Sequence, residues 1–183
     1  MSTDLKHLGT VRIETERLFL RLLTQNDAEK VFENWTSDEE VTKFMRWSRH
    51  LNVDDTRSWL KKCEENADTP TFYGWGIFLK NTNEPIGWID AFENNNEHGR
   101  YEMGYELCRK YWGRGYTTEA LKHVIGFLSK EVGVKMFAAR HAFENPASGA
   151  VMRHVGFKYV KDGFYVSFDG MRKFPSKIYY LDT

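Results

Sequence analysis

A chain of 183 residues is the length of one ordinary domain, and 41% hydrophobic with 15% aromatic residues suffices for a packed core, which sets disorder aside. Its 26 Lys and Arg balance 26 Asp and Glu, so a general nucleic-acid or membrane-surface binder is not expected, although a local anion site needs no net charge. Two cysteines without CxxC spacing, no apolar signal core in Met1–Thr10, and no run long enough to cross a bilayer point to a reducing, cytoplasmic setting.

In chain order, the first ten residues are polar and read as a flexible N-terminus of a single domain covering 1–183. Arg17–Leu23 is strand-like. Thr24–Asp27 opens a helix, with Asn26 or Asp27 near the cap, that continues through Ala28–Trp35. A short helix is expected over Glu39–Phe44, and a third opens at Asp54-Asp55, with Trp59, Leu60 and Cys63 at helical spacing. The texture then changes to alternation. Strands are predicted over Phe72–Lys80, Pro85–Phe92 and Arg100–Cys108, joined by the polar turns at 81–84 and 93–96, which makes an antiparallel meander. A helix follows over Thr117–Lys130, then a strand over Lys135–Ala142, a helix over Ser148–Val155 stopping at Gly156, and a hairpin of Tyr159–Phe168 and Phe174–Leu181 turning at Asp169-Gly170. The helix from Thr117 lies between strands, so a βαβ crossover sits inside a mostly antiparallel sheet. The fold class is mixed α/β with helices on both faces.

The most informative segment is Tyr105-Glu-Leu-Cys-Arg-Lys-Tyr-Trp-Gly-Arg-Gly-Tyr-Thr-Thr-Glu-Ala120. A strand ends near Cys108, Gly113 and Gly115 flank Arg114, and a helix begins at once. Glycines let the backbone turn tightly, and the first helical turn offers unpaired N–H groups at an electropositive end, which together suit a pyrophosphate. Arg109, Lys110 and Arg114 add local positive charge. Neither GxxxxGK[ST] nor GxGxxG is present.

Gly-Tyr-Glu-Leu followed by Tyr-Trp-Gly-Arg-Gly-Tyr-Thr-Thr-Glu-Ala resembles the CoA-binding motif of GNAT acetyltransferases, Gln/Arg-x-x-Gly-x-Gly/Ala, with Lys110 at the Gln/Arg position. Glu144-Asn-Pro-Ala-Ser through Val-Gly-Phe157 is similar to the family's Asn-x-x-Ser segment leading to Lys-Leu-Gly-Phe, with His154 where Lys is frequent. Thr15–Arg21 and the stretch from Asp162 to Tyr180 resemble the ribosomal-protein N-terminal (alanine/serine) acetyltransferase branch. The resemblance runs from Thr15 to the end. It implies a GNAT fold whose sheet splays at the cofactor, acetyl-CoA as co-substrate and no metal. It implies direct acetyl transfer to a primary amine, either a peptide N-terminus or a small-molecule amine. Monomer or homodimer stays open. The alternative is a non-catalytic acyl-CoA sensor or interaction module.

The resemblance also implies site residues. N–H groups near Leu107 and Cys108 would hold the pantetheine arm and thioester carbonyl, those of Arg114, Gly115, Tyr116 and Thr117 the pyrophosphate, and Asn145 the arm. Arg109, Lys110 and Gly113 complete the cofactor set. Direct transfer needs a proton acceptor at the amine and a donor for the departing thiolate. Glu102 is the expected base, with Glu106, on the same strand face by parity, as the alternative. Ser148 is the expected acid, its other reading being a helix N-cap, and Tyr165 is a further candidate. Cys108 as an acyl acceptor lacks a neighbouring His and reads better as a buried strand cysteine. The six histidines show no metal spacing. Acceptor specificity is expected from the aromatic region holding Trp35, Phe44, Met45, Arg46, Trp47, Trp59 and Tyr73, with Arg46 or Trp47 nearest the cleft and most of the others in the core.

Overall fold

The computed structural model describes residues 5–97 and 99–183. The alternating segments pair into one sheet in the order β1-β2-β3-β4-β5-β6-β8-β7. β1 (Ile13–Glu14) is a short strand with no clear sequence signal, paired antiparallel to β2 (Leu18–Arg21). β3 (Phe72–Leu79), β4 (Pro85–Asn94) and β5 (Arg100–Leu107) form the expected meander. β6 (Met136–Ala142) lies parallel to β5, and β7 (Lys158–Val166) and β8 (Lys173–Asp182) form the final hairpin, its turn using Gly170 at φ 75°. Seven consecutive residues of β3, Tyr73–Leu79, are buried, as a strand covered on both faces requires.

The two faces carry different helices. On one lie α1 (Ala28–Val31), α2 (Glu39–Thr42) and α3 (Val53–Glu65), where Trp59 of α3 meets Trp88 of β4 edge-on at 5.2 Å. On the other lie α4 (Tyr116–Phe127) and α5 (Pro146–Val155), where Phe127 meets Trp75 edge-on at 5.9 Å. Trp35 and Tyr73 belong to the core, both fully buried.

Caps explain where the boundaries differ from expectation. A single 3-10 turn, Gln25–Asp27, precedes α1 and starts at Thr24, whose N–H donates to the Asp27 carboxylate at 2.8 Å while the Asp27 N–H returns to the Thr24 carbonyl at 2.9 Å; Asp27 then stands at the cap of α1, as expected. α5 begins at Pro146, ahead of Ser148, because the Asn145 side chain accepts from the Ser148 N–H at 3.4 Å and proline at the first position needs no partner for its nitrogen. Gly156, at φ 108°, ends α5 as expected.

One feature of the sheet positions the site. The parallel β5–β6 pairing covers only Tyr101–Met103 against Phe137–Ala139. Beyond Met103, β5 stays with β4 while β6 stays with β8, so the sheet splays between them. The end of β5 and the start of α5 face each other across that gap, linked by the Tyr105 hydroxyl, which is 2.9 Å from both the Ser148 carbonyl and the Ser148 Oγ.

Candidate active site

The turn that leaves β5 is built from backbone. The Cys108 N–H donates to the Ile86 carbonyl at 2.7 Å, so by strand alternation the Leu107 N–H faces the gap towards β6. The Leu107 N–H is thus turned away from β4, whereas the Cys108 N–H is already engaged with it. Gly113 (φ 73°) and Gly115 (φ 77°) both sit in the left-handed region, and a side chain at Gly113 would meet nothing within 4 Å. Gly115 caps α4 without any side-chain acceptor, leaving the first-turn N–H groups of the helix free of intrahelical partners.

This turn is anchored to the opening strand by a clamp that sequence reasoning missed. The Glu119 carboxylate accepts from the Thr15 hydroxyl, the Arg17 N–H at 2.8 Å and Arg17 Nε at 2.6 Å. Burial works against its charge, but these donors hold the carboxyl below its ordinary value. Arg17 also donates to the Arg114 carbonyl at 2.9 Å and lies over the Tyr116 ring at 4.3 Å.

A cleft of about 590 Å³ runs between this turn and α5 on one side and the segment 40–45 on the other. Of the expected cofactor residues, Leu107, Gly113, Gly115, Tyr116, Thr117, Asn145 and Ser148 line it. Cys108, Arg109, Lys110 and Arg114 do not. Arg109 pairs with Asp38 at 3.0 Å, and Lys110 pairs with Glu84 at 2.7 Å, where the Tyr111 hydroxyl also donates. The charges of Arg109 and Lys110 are thus answered by carboxylates, whereas the Arg114 guanidinium lies over the Tyr111 ring at 5.6 Å. Other contributors to the cleft, among them Glu40, Val41, Lys43, Tyr105, Trp112 and Val151, were not assigned to it from sequence, although alternation on β5 sets Tyr105 on the face opposite Glu106.

Glu102 and Glu106 do share a face, since no bulge interrupts the β4–β5 register. Their surroundings differ. Glu102 is held by Arg140 Nε at 2.7 Å and Nη2 at 2.8 Å, takes a further bond from Asn94, and does not line the cleft. The geometry therefore does not favour Glu102 as the base. Glu106 lines the cleft, is 7% exposed, and its Oε1 has no hydrogen-bond partner. Burial and then the Asp90 charge push its carboxyl well above the usual range, against a small opposing effect of the Trp35 indole. Asp90, which takes the Trp88 indole N–H at 2.9 Å, is itself pushed up to about 6, chiefly by burial. Gly104 makes room for it: a Cβ there would come 2.4 Å from Asp90 Oδ1.

Ser148 is not the helix cap but the third residue of α5, within its first turn, its Oγ joined to Tyr105. Burial pushes the Tyr105 hydroxyl upward, keeping it protonated. Tyr165 lies outside the cleft and donates to the Phe44 carbonyl at 2.7 Å, so it is not placed to act as the acid. Cys108 is buried, and burial pushes its thiol up, against a role as acyl acceptor. Phe44 and Met45 reach the cleft. Arg46 and Trp47 do not: Arg46 donates to the Val166 carbonyl, and Trp47 stacks on Trp59 at 6.4 Å. Among the described residues, no group of three or more His, Cys, Asp or Glu is arranged to hold a metal, and no helix is long and apolar enough to cross a membrane. His98 lies outside the described residues.

A splayed mixed sheet with a glycine turn feeding a helix N-terminus at the gap is the architecture of an acyl-CoA-dependent transferase. The model of the acetyltransferase (GNAT) domain matches residues 17–158, and the chain belongs to that family. It is 30% identical over 144 residues to the uncharacterised N-acetyltransferase p20 of Bacillus licheniformis, covering 79% of this chain and 80% of that one. It is 26% identical over 169 residues to the ribosomal protein uS5-alanine N-acetyltransferase of Escherichia coli, covering 87% and 85%. A GNAT-family acetyltransferase structure from Bacillus anthracis superposes with a TM-score of 0.78 at 25% identity, covering 94% and 98%. The protein is an acetyl-CoA-dependent N-acetyltransferase.

Proposed function

We propose that the cleft acetylates the α-amine of a polypeptide N-terminus, with Glu106 taking the proton from the amine and the Ser148–Tyr105 pair serving the leaving sulfur. The observation that carries this reading is Glu106: the residue lines the cleft, and a buried oxygen of its carboxyl group has no partner. Such an oxygen is costly to leave without a donor, and the N–H of an incoming amine is one that would satisfy it. Burial and the Asp90 charge raise the Glu106 pKa, which makes its carboxylate a stronger base than that of an exposed glutamate.

Acetyl-CoA supplies the acetyl group as a thioester. The first-turn N–H groups of α4 and the glycine turn bind its diphosphate, and the Leu107 N–H, facing the splay, is available to its arm. Asn145 caps α5 beside it. Glu106 holds the neutral amine by one N–H and accepts that proton as the nitrogen forms its new bond to the acetyl carbon. Ser148 Oγ, which shares a proton with the Tyr105 oxygen, is the donor to the sulfur as its bond to the acetyl carbon breaks. One proton passes from nitrogen to Glu106 and one from Ser148 to sulfur; exchange with solvent then returns the Glu106 proton to the Ser148–Tyr105 pair, so the net change is amine and thioester to amide and thiol.

The peptide acceptor is favoured by the wall opposite the turn, where Val41, Phe44 and Met45 present apolar surface beside Glu40 and Glu106. An amine on a small apolar side-chain residue fits between them. The alanine N-acetyltransferase relative, which spans most of this chain, supports the same class. The test is release of free thiol from acetyl-CoA with peptides bearing Ala, Ser or Met N-termini, the same peptides blocked at the N-terminus, polyamines and aminoglycosides. Release with free but not blocked peptides is expected. Release only with small amines would replace the acceptor class. Binding without release for every amine would favour a sensing module.

A further inference from the structure

The segment between α2 and α3 has no regular structure, yet each backbone carbonyl from Lys43 to Trp47 accepts a hydrogen bond from the β7–β8 hairpin. Arg172 donates to three alternate carbonyls, Lys43 (3.5 Å), Met45 (3.1 Å) and Trp47 (2.9 Å). The carbonyls between them are taken by the Tyr165 hydroxyl at Phe44 (2.7 Å) and the Phe168 N–H at Arg46 (2.7 Å). Arg46 returns a bond from Nε to the Val166 carbonyl at 2.9 Å and lies over the Phe168 ring at 4.7 Å. A run without helix or strand partners must satisfy its carbonyls elsewhere, and here one short hairpin does so for five residues in succession.

The hairpin tip is itself cross-tied by hydrogen bonds. Ser167 N–H donates to the Arg172 carbonyl at 2.9 Å, the Arg172 N–H donates to Ser167 Oγ at 2.9 Å, and Asp169 accepts from the Met171 N–H at 3.0 Å. Phe174 backs the assembly, stacked on Tyr165 at 4.8 Å, edge-on to Phe44 at 6.5 Å, with the Arg172 guanidinium 5.4 Å above it. The segment so held is the one whose Lys43, Phe44 and Met45 line the cleft opposite the cofactor turn.

We infer that Arg172 is a positioning residue for acceptor specificity: its guanidinium fixes the 43–47 segment as the acceptor wall and leaves the acetyl-CoA half of the cleft untouched. A planar fork with five donors reaches three converging carbonyls; a lysine ammonium is a single point on a flexible stem and does not. The inference rests on the acetyltransferase reading of the cleft for its kinetic consequence, but not for its structural one.

The experiment uses Arg172→Lys, Arg172→Ala and the milder Tyr165→Phe, which keeps the ring on Phe174 and removes only the donor to Phe44. Acetyl-CoA Kd, acceptor KM and kcat are measured alongside hydrogen exchange at the amides of Met45 and Phe168, both hydrogen-bonded here. The expected result for each Arg172 variant is an acceptor KM raised about tenfold, in line with the sensitivity of reaction geometry to small displacements, with acetyl-CoA Kd unchanged and faster exchange at both amides. Tyr165→Phe moves the same readouts in the same direction, less far, and decides the matter if the Arg172 variants do not fold. A folded variant with lower thermal stability but unchanged acceptor KM and unchanged exchange overturns the inference. If the wild type turns over no amine, the proposed function fails, and exchange at Met45 and Phe168 still decides this one.

Discussion

Replacing Asp90 with Asn should stabilise the protein more at pH 8 than at pH 5. Asp90 faces Glu106 and Glu102 on the α3 side of the sheet, and burial, with Glu102 adding to it, raises its folded pKa from 3.8 to about 6. The sign follows from the raised value: folding favours the protonated form, so the contribution is fully present below pH 3.8 and is lost as pH rises through 6. At high pH the interval between the two values costs at most about 3 kcal/mol, at 1.36 kcal/mol per unit. Between pH 5 and pH 8 the loss grows by about 1.4 kcal/mol by the same linkage. Asparagine does not titrate and still offers an oxygen to the Trp88 indole. Any fixed cost of rearranging the amide is the same at both pH values and drops out of the comparison. Urea unfolding of wild type and Asp90→Asn at pH 5 and 8, with equal m values as the check on two-state behaviour, reads this difference directly. A stability gap that is flat across the interval, or that narrows towards pH 8, would refute the placement of a buried ionisable pair here. A second consequence is kinetic: the Asp90 charge helps to raise Glu106, so the variant should move the acid limb of the rate profile to lower pH.

Glu106→Gln should lower kcat by about 10²- to 10⁴-fold, the usual worth of a general base, while acetyl-CoA affinity measured by calorimetry stays at the wild-type value. In the wild type, the active form of Glu106 is the ionised one and its pKa is raised, so kcat should fall with decreasing pH well above the ordinary glutamate range; a rate independent of pH down to 4.5 would exclude it as the base. Gly115→Val forces a branched side chain into φ 77° at the start of α4 and should cost at least about 1–2 kcal/mol in thermal unfolding, together with a loss of acetyl-CoA affinity; unchanged affinity would remove the turn from the diphosphate site. Arg140→Met leaves the buried carboxylates of Glu102 and Glu97 without their guanidinium and should destabilise by about 3–5 kcal/mol in urea, with a loss below 1 kcal/mol counting against the buried network.

What could be read in the sequence was what is local in the sequence. The strand–glycine turn–helix unit needs only residues adjacent along the chain, because left-handed glycines and free first-turn N–H groups are backbone properties. The hairpin turn at Asp169-Gly170 and the stop at Gly156 were legible for the same reason. Charged side chains were not, because their meaning depends on partners. Arg109 and Lys110 look like phosphate ligands until Asp38 and Glu84 are folded against them. Parity placed Glu102 and Glu106 together correctly, but only Arg140, 38 residues away, separates a paired structural carboxylate from a free one. Arg172 gave no signal at all, since its three carbonyls lie 125 to 129 residues earlier. The division has a functional edge. In the function proposed above, the acetyl-CoA half of the cleft comes largely from peptide groups of one contiguous turn and the start of α5, whereas the opposite wall is assembled from 40–45 and held from 165–172. Substitution in the wall and its hairpin can therefore change the acceptor while the turn keeps the same cofactor. This is why the family was readable from one segment of sequence and the acceptor was not.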